Sequence, residues 1–288
     1  MHYLKKKLKS VLCLAPTIPF FVLAIGFLIL PFISMVKSSF TDPSSGAFSL
    51  VNYQTCFTKG AYVASIKNSL QVSSIATAVV MVASFFIALA VFSTGITTKK
   101  WFMPIMNISQ NFAGFPLAFA FILMLGKQGF FRLLFNKLGS SLLDNYSLYS
   151  YEGIIPLYIW FGIPLCVLLL LPGFDAVHRE WKEASTLLGC SSAGFWTRIG
   201  IPNVMPTLLG TLSVVFADSI TTYTTVYIII SSNAALLPIK IGTMFGGDLK
   251  ARPEVGCALS VIMIMMILIV MVLCNIGKRI SAKRGVSV

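Results

Sequence analysis

Polar side chains interrupt two of the long apolar stretches of this sequence, and they are the residues that could do chemistry inside a membrane. In one stretch, three of them share a helical face: Asn107, Gln110 and Asn111. In another, a second face carries Thr211, Asp218 and Thr222. An acid inside an apolar stretch is costly, so Asp218 either lines a water-filled pathway for polar or cationic solutes or forms a hydrogen bond between helices.

Residues suited to catalysis or metal binding are sparse. An intramembrane aspartyl protease needs two facing carboxylates, whereas the apolar stretches hold one. A serine or cysteine hydrolase needs a base, yet His2 and His178 both lie outside these stretches. The sequence has no clustered metal ligands and no GxxxxGK[ST] motif for ATP. We therefore expect no catalytic residues, no metal and no cofactor bound by this chain itself.

The cysteines are spread along the chain without a CxxC pair. They are Cys13, Cys56, Cys166, Cys190, Cys257 and Cys274. Nothing in their spacing requires a pair, so we expect free thiols.

The elements that position the polar residues are predicted to be membrane helices. With 57% hydrophobic and 11% charged residues, the 288-residue chain has more apolar surface than one soluble core could bury. Uncharged windows near or above about 20 residues predict six spans in a single domain, 1–288. The spans are approximately 11–36, 68–93, 102–125, 154–173, 206–231 and 254–277. A further segment, 127–149, is predicted to carry an amphipathic interfacial helix.

Orientation follows from the basic residues, because cytoplasmic loops retain positive charge. Placing both termini inside puts 13 of the 22 Lys and Arg residues in the cytoplasm and leaves 22 − 13 = 9 outside. The net charge of +13 is then mostly inner-leaflet charge that attracts anionic lipid. No basic face with aromatic platforms accompanies it, so nucleic acid is not expected as a partner.

The segment 175–205, between the fourth and fifth spans, is predicted to form a helix-turn-helix in the cytoplasm. Residues 175–188 are compatible with a helix that ends at Gly189, which adopts a left-handed conformation without strain. A second short helix fits 192–199, with Ser191 or Ser192 as its cap. Pro202 is predicted to end this helix, and Pro206 to begin the fifth span.

This segment resembles the signature of the membrane subunits of binding-protein-dependent ABC importers, the type I permeases. Their signature is EAA, three residues, Gly, nine residues, then I-x-L-P. The matching residues are Glu183, Ala184, Ser185, Gly189, Ile199, Gly200, Ile201 and Pro202, with every spacing kept. Ser185 and Ile201 depart from the pattern by small changes in side-chain volume.

The resemblance implies that 175–205 is the coupling loop, which docks in a groove on a cytoplasmic ATPase subunit. Phe195 and Trp196 are then candidates to fill that groove, and Glu183 would pair with a basic residue of the ATPase or brace the loop. The alternative is a solvated Glu183, with the aromatic residues in the headgroup layer.

The implied assembly contains a second permease subunit, identical or different, two cytoplasmic ATP-binding subunits that hold ATP and Mg, and an extracellular or periplasmic binding protein. Its location would be the bacterial cytoplasmic membrane. A small polar solute is the expected cargo, and a polyamine-like one comes first. Two other functions stay open, a secondary transporter and a membrane scaffold that transports nothing.

Overall fold

The fold is mainly helical in the residues that the computed structural model describes, which are 18–94, 96–139, 143, 145–230, 236–246 and 252–285. The only strand-like pairing among them is one antiparallel bridge between Thr41 and Phe48. Within this part of the chain, six helical stretches are long and apolar enough to span a membrane: Pro19–Ser39, Gly60–Thr94, Phe115–Lys137, Ile155–Asp175, Ser192–Thr221 and Pro253–Ser281. The predicted all-α fold with six spans is confirmed, and its orientation stays a prediction.

The helices are numbered here in chain order. They are α1 (Ile18–Ala24), α2 (Leu30–Ser39), α3 (Val51–Thr58), α4 (Gly60–Thr94), α5 (Ile96–Asn111), α6 (Phe115–Leu125), α7 (Phe130–Lys137), α8 (Ile155–Asp175), α9 (Arg179–Leu187), α10 (Ser192–Phe195), α11 (Ile201–Thr221), α12 (Thr224–Ile230), α13 (Leu237–Phe245) and α14 (Pro253–Gly285). Two π-helical turns, Ile25–Ile29 and Trp196–Gly200, join α1 to α2 and α10 to α11.

Close approach of α4 and α8 forms the centre of the bundle. The buried face of α4 is rich in small residues at helical spacing: Ser65, Ser69, Ser73, Ala76, Ser84 and Ala88. On α8, a Cβ at Gly162 would lie 2.9 Å from Cγ2 of Val80, so glycine is required where the helices cross. Small residues let membrane helices pack by van der Waals contact, because lipid supplies no hydrophobic force between them.

The remaining helices surround this pair. Helix α8 also packs on α5 and α11, and α14 packs on α2, α3, α11 and α13. The predicted amphipathic helix is present as α7, whose exposed side chains include Phe130, Phe131 and Leu133.

Several predicted boundaries require correction. The first span is described only from Ile18 onward, so 11–17 lies outside the described residues. The second begins at Gly60 because the added turns bury Tyr62 against α13 and α14. The sixth continues to Gly285, since its charged end remains helical beyond the apolar window.

Two predicted spans are broken helices. The third, 102–125, is divided between α5 and α6 at residues 112–114, where Gly114 has φ +72°. The stretch that is long and apolar enough to span is Phe115–Lys137, which starts later than predicted and includes α7. The fifth, 206–231, begins earlier and breaks at residues 222 and 223, between α11 and α12. Broken helices at membrane depth occur where the backbone is enclosed by protein or lines a cavity.

Candidate functional site

The segment 175–205 keeps the name coupling loop below after its predicted role, and the turn between its two helices is built by the backbone of Gly189. This glycine has φ +77°, as predicted for the residue that ends the helix α9. The N–H of Cys190 donates to the carbonyl of Ser185 at 2.9 Å, and the N–H of Gly189 donates to that of Thr186 at 3.0 Å. These two bonds form a Schellman motif, which satisfies the carbonyls that the helix end leaves free.

The second helix of the coupling loop begins at the predicted cap. Oγ of Ser191 accepts a hydrogen bond from the N–H of Gly194 at 3.2 Å. Beyond Phe195, however, the helix does not end: it passes through the π turn into α11, and Pro202 lies in the first turn of that helix. The prediction that Pro202 ends the helix is wrong. The wider π turn precedes the proline ring, and Nδ2 of Asn203 donates to the Ile199 carbonyl at 2.8 Å.

The two aromatic residues of the coupling loop face the bundle. Phe195 is only 1% exposed, and Trp196 is half-buried. The Trp196 ring lies 5.9 Å from the ring of Phe174 on α8 and 6.1 Å from that of Phe92 on α4. A Cβ at Gly200 would lie 2.3 Å from the Trp196 ring, so this glycine makes room for it. The prediction that Phe195 fills a groove on a partner is therefore wrong, because it is buried within its own chain.

The exposed apolar surface of the coupling loop lies at the end of α9, next to the Gly189 turn, and is called the tip below. Leu187 and Leu188 are 89% and 88% exposed, and Trp181 and Ala184 are exposed beside them. Glu183 is also exposed. Sequence reasoning named Glu183 and Ala184 as docking residues but gave Leu187 and Leu188 no docking role. Their signal was an adjacent apolar pair directly before the glycine turn.

Inward contacts hold the base of the coupling loop. Ser185 is buried, and its Oγ donates to the Lys182 carbonyl at 2.8 Å, so a small residue is needed there. Ile199 is half-buried against the inner core. Lys99 at the start of α5 forms an ion pair with Asp175 at the end of α8, where the loop begins.

A cavity of about 150 Å³ lies between the broken helices. Its lining brings together three of the predicted polar residues, Gln110, Asp218 and Thr222. The other lining residues are Ala113, Phe161, Leu165 and Thr225.

The other three predicted pathway residues lie elsewhere. Asn107 and Asn111 line a separate open recess of about 350 Å³, where each amide donates to the carbonyl four residues earlier. Thr211 is buried in the bundle two turns before Asp218 and does not line the cavity. The sequence periodicity placed the six residues on two faces of three each, whereas the cavity receives one residue of the first face and two of the second.

A hydrogen bond joins the two helix breaks beside the cavity. The N–H of Gly114 donates to Oγ1 of Thr225 at 3.0 Å, so the start of α6 is tied to the start of α12. Sequence reasoning did not predict a role for Thr225. The only sequence signal for a role of Thr225 was a run of threonines in an apolar stretch.

Asp218 is exposed toward the cavity, and its carboxylate has no ion-pair or hydrogen-bond partner among the described side chains. Its backbone carbonyl accepts a hydrogen bond from Oγ1 of Thr222 at 2.8 Å. No hydrogen bond joins its side chain to another described helix, and the role of Asp218 in a pathway stays a prediction.

Thiols and metal ligands do not add to this site. Five cysteines lie in the described chain, and all are free thiols, as expected: Cys56, Cys166, Cys190, Cys257 and Cys274. Cys13 lies outside the described residues. No three His, Cys, Asp or Glu side chains in the described ranges come together as metal ligands.

Curated relatives share parts of the sequence. The thiamine transport system permease protein ThiP of Haemophilus influenzae is 24% identical over 140 residues, which cover 49% of this chain and 26% of the relative. ThiP of Brucella suis is 28% identical over 101 residues, which cover 35% of this chain and 18% of the relative. A probable ABC transporter permease protein, y4fN of Sinorhizobium fredii, is 24% identical over 270 residues, covering 89% and 44%. The chain thus spans less than half the length of these relatives.

The fold matches solved structures along nearly its whole length. A chain of a bacterial ABC transporter involved in the import of the acidic polysaccharide alginate superposes with a TM-score of 0.75 at 18% identity, covering 97% of this chain and 99% of that one. A chain of a bacterial alginate ABC transporter, in complex with an alginate pentasaccharide-bound periplasmic protein, superposes with a TM-score of 0.76 at 18% identity. The match covers 98% of this chain and 99% of that one. At this identity the likeness shows the fold alone.

A family model agrees with the motif and the fold. The model described as "Binding-protein-dependent transport system inner membrane component" matches residues 81–284, which is well over half of the chain. This range includes the coupling loop and both helix breaks. The chain therefore belongs to the family of inner membrane components of binding-protein-dependent transport systems.

Proposed function

We propose that this chain is the membrane-spanning permease subunit of an ATP-driven importer in the bacterial cytoplasmic membrane. The observation that carries the proposal is the coupling loop: a family motif folded into two helices around a rigid turn, with an exposed apolar tip. Exposed apolar surface on a segment outside the spans is costly in water and is typical of a docking site.

The proposed partner at this tip is a cytoplasmic ATPase subunit, one for each permease. Leu187 and Leu188 would enter its groove, and Glu183 would pair with a basic residue at the rim. The two ATPases would hold ATP and Mg, since this sequence has no phosphate-binding loop. Phe195 and Trp196 would act from inside, by anchoring the loop to α4 and α8.

Family membership supports the rest of the proposed assembly. A second permease subunit, identical or different, would complete the pathway, and a substrate-binding protein would deliver cargo to the outer segments 37–67, 126–153 and 232–253. ATP binding would bring the two coupling loops together and open the cavity outward, and hydrolysis would return it inward. Such rigid-body movement requires stiff connections between loop and span.

The proposed cargo is a small polar organic solute, with a polyamine-like compound first. Thiamine is a second candidate, because two relatives are named as thiamine permeases. The alginate importers share the fold at an identity too low to carry over their cargo.

The test is co-purification of the partner ATPase with variants of the tip. We expect the double variant Leu187→Ser with Leu188→Ser to reduce recovered ATPase and uptake by about tenfold or more, because buried apolar anchors dominate interfaces. Leu50→Ser is the matched control, since Leu50 is also exposed but lies on the predicted outer side. Unchanged ATPase recovery in the tip variant would contradict the proposed docking.

The two rival functions give different results in the same experiment. A secondary transporter would take up its solute without ATPase and would depend on an ion gradient. A scaffold would leave uptake unchanged when its gene is deleted. Either result, together with absence of a co-purifying ATPase under gentle detergent, would replace the importer proposal.

A further inference from the structure

We propose that the cavity between the broken helices is a subsite for the positively charged head group of a small organic cation, with Asp218 as its counter-ion. The inference rests on the proposed importer function and names the charge class of its cargo. The carboxylate of Asp218 would bind an ammonium or a similar cationic group, and Gln110 and Thr222 would accept hydrogen bonds from it.

The charge of the cavity is the first argument. None of its seven lining residues is basic, so no side chain in the lining neutralises Asp218. Lys278 of α14 lies against Gly210 of α11. Gly210 is eight residues before Asp218, so this contact is about 12 Å from Asp218 along the helix. The one ion pair between described side chains, Lys99 with Asp175, lies at the base of the coupling loop. An unpaired carboxylate among apolar walls attracts a cation strongly.

The hydrogen-bonding capacity of the lining is the second argument. The hydroxyl hydrogen of Thr222, a lining residue, is used on the Asp218 carbonyl, which leaves the lone pairs of its oxygen free to accept hydrogen bonds. Gln110 contributes an amide oxygen from α5. A carboxylate and these acceptors suit a ligand group that carries several N–H donors.

The size of the cavity limits what part of the cargo it would hold. A volume of about 150 Å³ corresponds to roughly five water molecules at about 30 Å³ each. This space has room for one charged head group. Phe161 and Leu165 supply an apolar wall against which a carbon chain or ring would pack.

The experiment measures charge selectivity with thiol reagents, so it needs no knowledge of the cargo. Thr222→Cys is made in a background in which the native cysteines are replaced by serine, and the complete transporter is kept in membrane vesicles. The thiol is then treated with a cationic trimethylammonium-ethyl methanethiosulfonate or with its anionic sulfonato-ethyl counterpart. Each rate is divided by the rate of the same reagent with a free thiol in solution.

The expected result is a cation-to-anion rate ratio well above one that falls when Asp218→Asn is added. Positions 218 and 222 are one helical turn apart, which corresponds to about 6 Å. At this distance the negative charge of Asp218 should raise the rate of the cationic reagent about tenfold and lower that of the anionic reagent about tenfold. Asp218→Glu keeps the charge and should keep the ratio. Thr211→Cys is the matched control: this position is buried on the same helix and should not react.

Two results would overturn the subsite. One is a ratio that Asp218→Asn leaves unchanged, and the other is a cysteine at position 222 that reacts with neither reagent. Gln110→Cys, on the opposite wall, repeats the measurement if the first variant does not reach the membrane. Co-purification of the ATPase and ATP-driven uptake are followed in the same vesicles, so an importer without this subsite is distinguished from a chain that is not an importer.

Discussion

Replacing Gly189 tests whether the turn of the coupling loop must be rigid for an ATPase to dock. Its φ of +77° is a conformation that costs a residue with a Cβ about 1–2 kcal/mol. No neighbouring atom lies within 4 Å of the position where that Cβ would be, so crowding adds nothing to the cost. The effect of a substitution should therefore depend on backbone preference alone.

The size of the effect follows from the free-energy cost of placing a residue with a Cβ in this backbone conformation. At 1.4 kcal/mol per tenfold, a loss of about 1–2 kcal/mol lowers the population of the docking-competent turn by at most about 5- to 30-fold. Valine should lie at the upper end because it is β-branched, alanine below it, and asparagine near the wild type because it tolerates the left-handed region. We therefore expect ATPase affinity to decrease in the order Gly, Asn, Ala, Val.

The assay is a titration of the partner ATPase against each purified variant, with the apparent Kd as the measurement. Gly46→Ala is the matched control, because Gly46 has φ +66°, has open space around it and lies in the predicted outer segment. It should incur the same backbone cost without changing ATPase binding. The reasoning would be refuted if the valine variant bound as tightly as the wild type, or if asparagine were as harmful as valine.

Two further predictions concern packing and thiol chemistry. In Gly173→Ala the new Cβ would lie 2.7 Å from Cβ of Thr207, so we expect a loss of about 1–3 kcal/mol and a lower thermal midpoint than in Gly60→Ala, where the space is open. Burial raises the pKa of Cys56 from 9.0 to about 11, so at pH 9 about one hundredth of it is thiolate, and maleimide should label it at least tenfold more slowly than the partly exposed Cys190. Because the unfolded thiol ionises first, the free energy of unfolding should fall between pH 9 and 11, as denaturant titrations at several pH values would show.

The six spans could be predicted from the sequence because hydropathy over about 20 residues is a local property. The turn at Gly189 and the cap at Ser191 were also predictable, since each depends on one residue type in one backbone conformation. The break at Gly114 likewise depends on one glycine in a positive-φ conformation.

Other features depend on tertiary packing that no local pattern contains. The break after Thr221 has no Gly or Pro to mark it, and the continuation of the helix through Pro202 depends on a π turn. Whether Trp196 and the neighbouring Phe195 face a partner or the bundle depends on Phe92 and Phe174, which lie against the Trp196 ring and are distant in sequence. A helical face predicts which residues lie side by side, but not which neighbour they meet.

The coupling loop and the cavity are connected by one continuous helical stretch. Ser192–Thr221 has 30 residues, or about 45 Å at 1.5 Å per residue, and it begins in the loop and ends beside Asp218. The aromatic contacts of Trp196 fix one end of this stretch to α4 and α8. At its other end the helix breaks, and the bond between Gly114 and Thr225 ties that break to a second broken helix. A movement of the loop would therefore reach the polar cavity through a stiff element, and the two breaks are the points at which the backbone would absorb it.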